Sequence, residues 1–247
     1  MMPVEPTSPA SAPVQPTPLG ARAQLAALAA GAGRESELER IRRLPVPLDP
    51  RPAAVLILFG VLDSLPSEAH ASAVSRDLDV LLLARADTLR SHPGQVAFPG
   101  GRVDDDDDGP VGAALREAQE ETGLDPSGVE VLGTLDTIPL AYSEHEVTPV
   151  LAWWRHPSPV GVVDEAESAD VFRAPVADLL DPRNRGVTVI RREGEEFRGP
   201  GFLVPHPSGE HLVWGFTAMV LDALFDRLGW TEEWDASREL PLELPTS

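Results

Sequence analysis

From residue 52 onward the chain alternates short apolar runs with clusters of turn-forming residues. AAVLILF (53–59) and LDVLLLA (78–84) are almost continuously apolar, as strands buried on both faces are. VEVLGTLDTI (129–138), EVTPVLAWW (146–154), ADVFRAP (169–175), VTVIR (187–191) and HLVWGF (211–216) are read as further strands. VADLLD (176–181) reads as a short helix, and TAMVLDALFDRLG (217–229) has the spacing of an amphipathic helix that closes the core. Strands outnumber helices and the helices are well separated, which predicts an α/β fold with a mixed sheet sandwiched by helices. No repeat period is visible. The longest apolar run, AAVLILFGVL (53–62), falls well short of the roughly 18 to 20 residues a membrane helix needs.

One further helix, predicted over about 110–122, is punctuated at both ends. Pro110 suits a first helical turn, the aspartates before it face the positive end of the helix dipole, and Gly123 can take the left-handed conformation that stops a helix. At about 100° per residue, Val111, Ala114, Leu115 and Ala118 form one apolar stripe. Glu117, Glu120 and Glu121 share an arc of about 100° on another side. Like charges so spaced destabilise a helix by a few tenths of a kcal/mol per pair, and by more when partly buried. Two readings account for them: a solvated acidic face on which Arg116 pairs with Glu120 at i,i+4, or a site where carboxylate oxygens hold Mg²⁺ or Mn²⁺ for a phosphate substrate.

Context separates the two. A glycine, an acidic loop and then R-E-(apolar)-x-E-E-x-G-(apolar) resembles the signature of the Nudix hydrolases, and Arg116, Glu117, Ala118, Glu120, Glu121, Gly123 and Leu124 fill its second half. The spacing from Gly101 to Arg116 is one residue longer than in the general signature, and Asp107 or Asp108 stands in place of the loop glutamate. This longer spacing resembles the coenzyme A pyrophosphatase branch. So does the upstream segment LLLARADTLRSHPGQVAFPGG, which places Leu81, Leu82, Arg85, Arg90, Gly94, Phe98, Pro99, Gly100 and Gly101 in register with L-L-T-x-R-S-x3-R-x3-G-x3-F-P-G-G. Leu83 for Thr and Ala86 for Ser depart from that pattern. VTPVLAW (147–153) and VWGFTA (213–218) are similar to segments of the same branch, so the likeness spans about residues 50–230.

The resemblance implies a Nudix α/β/α sandwich with a loop-helix-loop box, and metal-dependent cleavage of a diphosphate. It implies Glu117, Glu121 and Glu120 as ligands of Mg²⁺ or Mn²⁺, with Arg116 orienting a glutamate, and Gly100, Gly101, Arg85 and Arg90 at the substrate. The implied substrate is coenzyme A or a thioester, cut to 4′-phosphopantetheine and adenosine 3′,5′-bisphosphate. Another nucleoside diphosphate derivative such as ADP-ribose or NADH, or a Nudix domain kept as a ligand sensor without turnover, are the alternatives.

Composition narrows the partners. Against 40 acidic residues stand 20 basic ones, all Arg, for a formal charge of −20. That balance disfavours polynucleotides, whose sequence-independent binding relies on basic residues displacing counterions. The absence of Cys excludes disulfides and thiolate chemistry, and the absence of Lys excludes Schiff-base and P-loop lysines. We expect a cytoplasmic protein without membrane association, either monomer or homodimer.

The first 20 residues carry six prolines and no apolar periodicity, so residues 1–35 are expected to form a Pro/Ala-rich disordered tail, with a short helix in ARAQLAALAAGAGR (21–34). The Nudix domain is then expected over 36–235 and a C-terminal tail over 236–247. The run Asp104 to Asp108 lacks the glycine and glutamate of an EF-hand loop and reads as a solvated turn. Glu144, Glu146, Glu195 and Glu196 lie near predicted strand ends as candidates for a further carboxylate. The six His show no metal spacing such as H-E-x-x-H, and Trp153, Trp154 and Trp214 read as core.

Overall fold

The computed structural model describes residues 17–31, 47–62, 67–69, 71–86, 94–140, 143–192, 195–207 and 209–242. Its helices are α1 (Pro18–Ala29), α2 (Gly109–Thr122), α3 (Val176–Leu180) and α4 (Gly215–Leu228). Its strands are β1 (Arg51–Val61), β2 (Leu78–Arg85), β3 (Val96–Ala97), β4 (Gly100–Arg102), β5 (Val129–Thr134) and β6 (Ile138–Leu140), followed by β7 (His145–Trp154), β8 (Ser168–Pro175), β9 (Arg185–Arg192), β10 (Glu195–His206) and β11 (Gly209–Val213).

Eight strands form one mixed sheet along the order β3-β2-β1-β7-β5, with β4 beside β1, β6 beside β7 and β8 beside β2; β11-β10-β9 form a second sheet. The centre is the parallel pair β1/β7, in register from Arg51 opposite His145 to Phe59 opposite Trp153. The near-continuous apolarity of these strands follows from burial on both faces. Ala54, Leu56 and Leu58 of β1 pack with Ala113, Ala114 and Ala118 of α2, whereas Ile57 and Phe59 pack with α1, α4 and Phe202, Val204 and Val213 of the second sheet. The result is the expected α/β/α sandwich. Trp153 and Trp154 are buried, as the core reading holds, and Trp214 is half-buried. Among the described residues no helix is long and apolar enough to cross a membrane.

β1 changes partner along its length, and this positions the site. Near its C-terminal end Phe59, Gly60 and Val61 pair with β2, but Ala53, Ala54 and Val55 pair with β4. The C-terminal end of β2 therefore diverges from β1, and the glycines of β4 take its place. Gly100 is required there: a Cβ would stand 2.3 Å from the Ala54 carbonyl oxygen and 2.7 Å from the Val55 Cα.

Described residues toward both ends add to the fold. Within residues 1–35 the short helix expected in 21–34 is present as α1, starting at Pro18 and capped by the Thr17 hydroxyl, which accepts from the Gly20 N–H at 3.2 Å. Ala21, Leu25 and Leu28, spaced i, i+4, i+7, bury one stripe of it. Arg22 forks onto the Glu130 carboxylate, and the Trp230 indole N–H donates to Gln24 Oε1 at 2.8 Å. Low local amphipathicity hides this docking, because small alanines bury little and the partners lie more than 100 residues away. Residues beyond 236 also join the domain: the Leu240 N–H donates to the Val187 carbonyl at 2.9 Å and its side chain is buried. The strand expected over 211–216 ends at Val213, where Trp214 becomes the N-cap of α4.

Candidate active site

Helix α2 starts after Asp108 and stops at Gly123, whose φ of 71° is left-handed and whose N–H returns to the Gln119 carbonyl. This meets the expected span within a residue. Its buried alanines bring the helix close to β1, so the side chains of Glu117 and Glu121 are directed along β4. The Gly100 N–H donates to Glu121 Oε2 at 2.9 Å. A Cβ on Gly101 would stand 2.5 Å from the Glu117 carboxyl carbon, so only glycine makes room for that carboxylate. Gly100 and Gly101 thus act on the glutamates through backbone and space.

Arg116 organises the outer side. Its Nε and Nη2 fork onto Asp107 at 2.9 and 3.0 Å, and Nη2 also donates to the Arg102 carbonyl at 3.0 Å. Nη1 reaches Glu117 Oε1 and Glu120 Oε2, each at 3.0 Å. The i,i+4 pair of the solvated-face reading is therefore present, but within a larger network. Asp107 accounts for the loop aspartate: its side chain is 6% exposed and accepts the Asp104 N–H at 2.8 Å, whereas Asp104 remains 67% exposed. The Arg116 guanidinium holds the Asp107 carboxyl below its ordinary proton affinity.

The inner carboxylates are shifted the other way. Burial, followed by the charge of Glu117, pushes Glu121 up to about 7 against the opposing Gly100 hydrogen bond and Arg85 charge. Burial also raises Glu117, with Arg116 opposing. Glu120 is 59% exposed. The glutamates' oxygens are not all gathered within 4.8 Å of one another, as mutually repelling anions held by separate donors would be expected to lie. An all-oxygen donor set with two partly buried carboxylates, beside a glycine that leaves space for one of them, fits a hard divalent cation.

Arg85 lies at the end of β2 facing this group. Its charge reaches Glu121, and its Nε is buried with no hydrogen-bond partner. Arg90 lies outside the described residues. Of the four glutamates considered as a further carboxylate, Glu144 pairs with Arg51 at 3.6 Å in the turn before β7, Glu146 is the second residue of that strand, and Glu196 is bound by Arg191 and Arg198 on the β9–β10 hairpin. Glu195 opens β10 on the same hairpin. A residue not considered, Glu167, adds to the charge of Glu117 in raising Glu121. Its carbonyl accepts the Ala86 N–H at 2.9 Å, next to Arg85. The pairing of β8 with β2 brings it there, and no local pattern signals that.

The chain is similar to several known proteins. A MutT/nudix family protein of Enterococcus faecalis superposes with a TM-score of 0.44 at 18% identity, over 78% of this chain and 67% of that one. An uncharacterized Nudix hydrolase, NudL, of Cronobacter sakazakii is 39% identical over 150 residues, 61% of this chain and 75% of the relative. The protein of the same description from Escherichia coli is 38% identical over the same shares. The NUDIX domain model matches residues 66–192, from the segment before β2 to the end of β9 and with the whole glutamate helix inside it: this chain belongs to the Nudix family of hydrolases.

Proposed function

We propose that the protein is a metal-dependent pyrophosphatase acting on coenzyme A or its thioesters, with 4′-phosphopantetheine and adenosine 3′,5′-bisphosphate as products. Nudix hydrolases act on nucleoside diphosphate derivatives and generally use divalent metal ions. The observation that carries the finer reading is Arg85. It fills the arginine position of the upstream motif, stands beside Glu121, and keeps a buried, unpartnered Nε, which suits it to a substrate phosphate.

In this reading Glu117 and Glu121, with Glu120 beside them, hold Mg²⁺ or Mn²⁺. The bound cation supplies charge neutralisation and Lewis-acid polarisation of the diphosphate. Arg116 fixes the Glu117 and Glu120 carboxylates from outside, and Asp107 fixes Arg116. The Gly100 amide holds Glu121 Oε2 and so fixes the carboxylate that would bind the cation. Arg85 receives a phosphate oxygen through its guanidinium. Glu167 is the carboxylate available to take a proton from an attacking water. Its position at the end of the sheet leaves it exposed to solvent, as a group that returns its proton after each turnover needs to be.

The test is a hydrolysis screen of coenzyme A, ADP-ribose, NADH and diadenosine polyphosphates with Mg²⁺ and with Mn²⁺, products identified by mass. Fastest cleavage of coenzyme A, releasing 4′-phosphopantetheine, is expected. Faster cleavage of ADP-ribose or NADH overturns the substrate assignment, and no metal-dependent cleavage of any of them overturns the enzymatic one.

A further inference from the structure

A second group of metal-ligating side chains lies away from α2. The β10/β11 register sets Val204 opposite His211 and His206 opposite Gly209, so the two histidines stand diagonally on one face of the second sheet. Across from them is Asp170 of β8. In the β2/β8 register Asp170 pairs with Ala84 and Phe172 with Leu82, and Leu82, Ala84 and Phe172 belong to the core on the α4 side. Asp170 is thus on the opposite face of the large sheet from the glutamates of α2.

Asp170 Oδ2 is 2.9 Å from His211 Nε2 and 3.4 Å from His206 Nδ1. One ligand atom from each of the three lies within 4.8 Å of the others. The ring of Phe172 stacks on His211 at 4.5 Å and 13°, and stands 5.6 Å from His206. An apolar ring so placed backs the imidazoles and limits their rotation. The side chains are 27%, 25% and 19% exposed for Asp170, His206 and His211, so an ion can reach them from solution.

We propose that Asp170, His206 and His211 bind a divalent transition cation of the Zn²⁺ class, at a site separate from the carboxylate site. Ligand atoms around a tetrahedral ion at about 2.0–2.1 Å stand roughly 3.3–3.4 Å apart. The His206–Asp170 separation of 3.4 Å already matches that figure, and the His211–Asp170 separation of 2.9 Å, a hydrogen-bond distance, would widen slightly around an ion. Two imidazoles and one carboxylate suit Zn²⁺, Co²⁺ or Ni²⁺, whereas Mg²⁺ favours oxygen donors. A carboxylate accepting one imidazole N–H needs no ion, but here two imidazoles converge on the same oxygen. A cation would take the place of protons in that arrangement. The fourth position is left to water. Since Asp170 belongs to the large sheet and the histidines to the small one, the ion would tie the two sheets together and stabilise the folded chain by mass action.

The experiment is a Co²⁺ titration of the full chain in excess Mg²⁺, which saturates oxygen-rich sites. A visible absorption band of tetrahedral Co²⁺ at one equivalent, bleached by Zn²⁺, and a rise in Tm with Zn²⁺ are expected. Both should be lost in His206→Gln and in His211→Gln and retained in the Glu117→Gln/Glu121→Gln double variant. Absence of the band from the unaltered chain, its persistence in both histidine variants, or its loss in the glutamate variant overturns the proposal. In case a histidine variant does not fold, the imidazole NMR resonances of the unaltered chain give a second answer. Zn²⁺ should shift those of His206 and His211 selectively, and equal shifts across all six histidines overturn the assignment.

Discussion

Glu117 and Glu121 keep their carboxylates where burial and neighbouring negative charge oppose ionisation, an arrangement a bound cation reverses. Glu117→Gln and Glu121→Gln should therefore each lower turnover by at least about 10²-fold, the scale of losing one strong electrostatic contact to the reacting charge. Unchanged circular dichroism should accompany the loss, and wild-type rates at saturating metal would refute the assignment. The same burial predicts a pH dependence in the chelated protein. Glu121 has a folded-state pKa raised to about 7 from 4.5, so between those values the folded chain holds a proton that the unfolded chain has released. Its contribution to stability is fully present below about 4.5 and lost as pH rises through about 7. Urea denaturation in EDTA should show Glu121→Gln gaining on wild type from pH 5 to pH 8, by something on the order of 1–3 kcal/mol. A pH-independent difference would show that the carboxyl ionises freely. The α2 glutamates were legible in the sequence because a helical period relates residues only a turn apart. Which of five aspartates would hold Arg116 was not, since that depends on how the loop folds back to the helix. Glu167 and the Asp170–His206–His211 group were hidden for a related reason: strand pairing brings Glu167 to Arg85, and packing of the small sheet against the large one brings Asp170 to the histidines.

Among the elements, strands buried on both faces and helices with firm ends could be read directly, whereas β10 could not. Its sequence EEFRGPGFLVPH carries Gly199, Pro200, Gly201 and Pro205, which erase any period. The structure accommodates the prolines because β10 has a neighbour on only one side at each. β11 pairs only with Phe202–His206, leaving that side open at Pro200, and β9 pairs only up to Phe202, leaving the other side open at Pro205. Helix α1 was legible as a helix but not as part of the core, because its partners β5 and α4 are distant in sequence. Its contribution can be measured. Leu25 is fully buried, and Leu25→Ala should cost about 2–5 kcal/mol, as large-to-small core substitutions do. Thr17→Ala, which removes the cap, should cost about 1 kcal/mol. Urea denaturation checks both, and a Leu25→Ala chain as stable as wild type would mean that α1 does not dock in solution.

For the whole molecule, a net charge of −20 makes an anionic substrate an unfavourable visitor everywhere except beside concentrated positive charge. Two described arginines near the site are already committed, while Arg102 of β4 is exposed to solvent. Arg116 is occupied by Asp107, Glu117 and Glu120, and Arg51 pairs with Glu144. Arg85 retains an unpartnered buried Nε beside Glu121, so discrimination among polyphosphates should depend on it more than on the general field. Charge-assisted hydrogen bonds contribute about 1.5–3 kcal/mol. If Arg85 receives the 3′-phosphate, coenzyme A should therefore exceed dephospho-coenzyme A in kcat/KM by roughly 10-fold or more, measured at saturating Mg²⁺. Arg85→Ala should erase most of that ratio while leaving hydrolysis of dephospho-coenzyme A nearly unchanged. The paired comparison separates recognition from damage, because a variant with a distorted site would lose both substrates together. An added-salt series separates local from global electrostatics: screening acts on exposed charges beyond the Debye length, about 10 Å at 0.1 M, and much less on a buried contact. The ratio should thus persist at high salt even as absolute rates change. A ratio near one in the wild type, or one that survives Arg85→Ala, would remove Arg85 from the specificity assignment and leave only the glutamates' metal-dependent chemistry to account for catalysis.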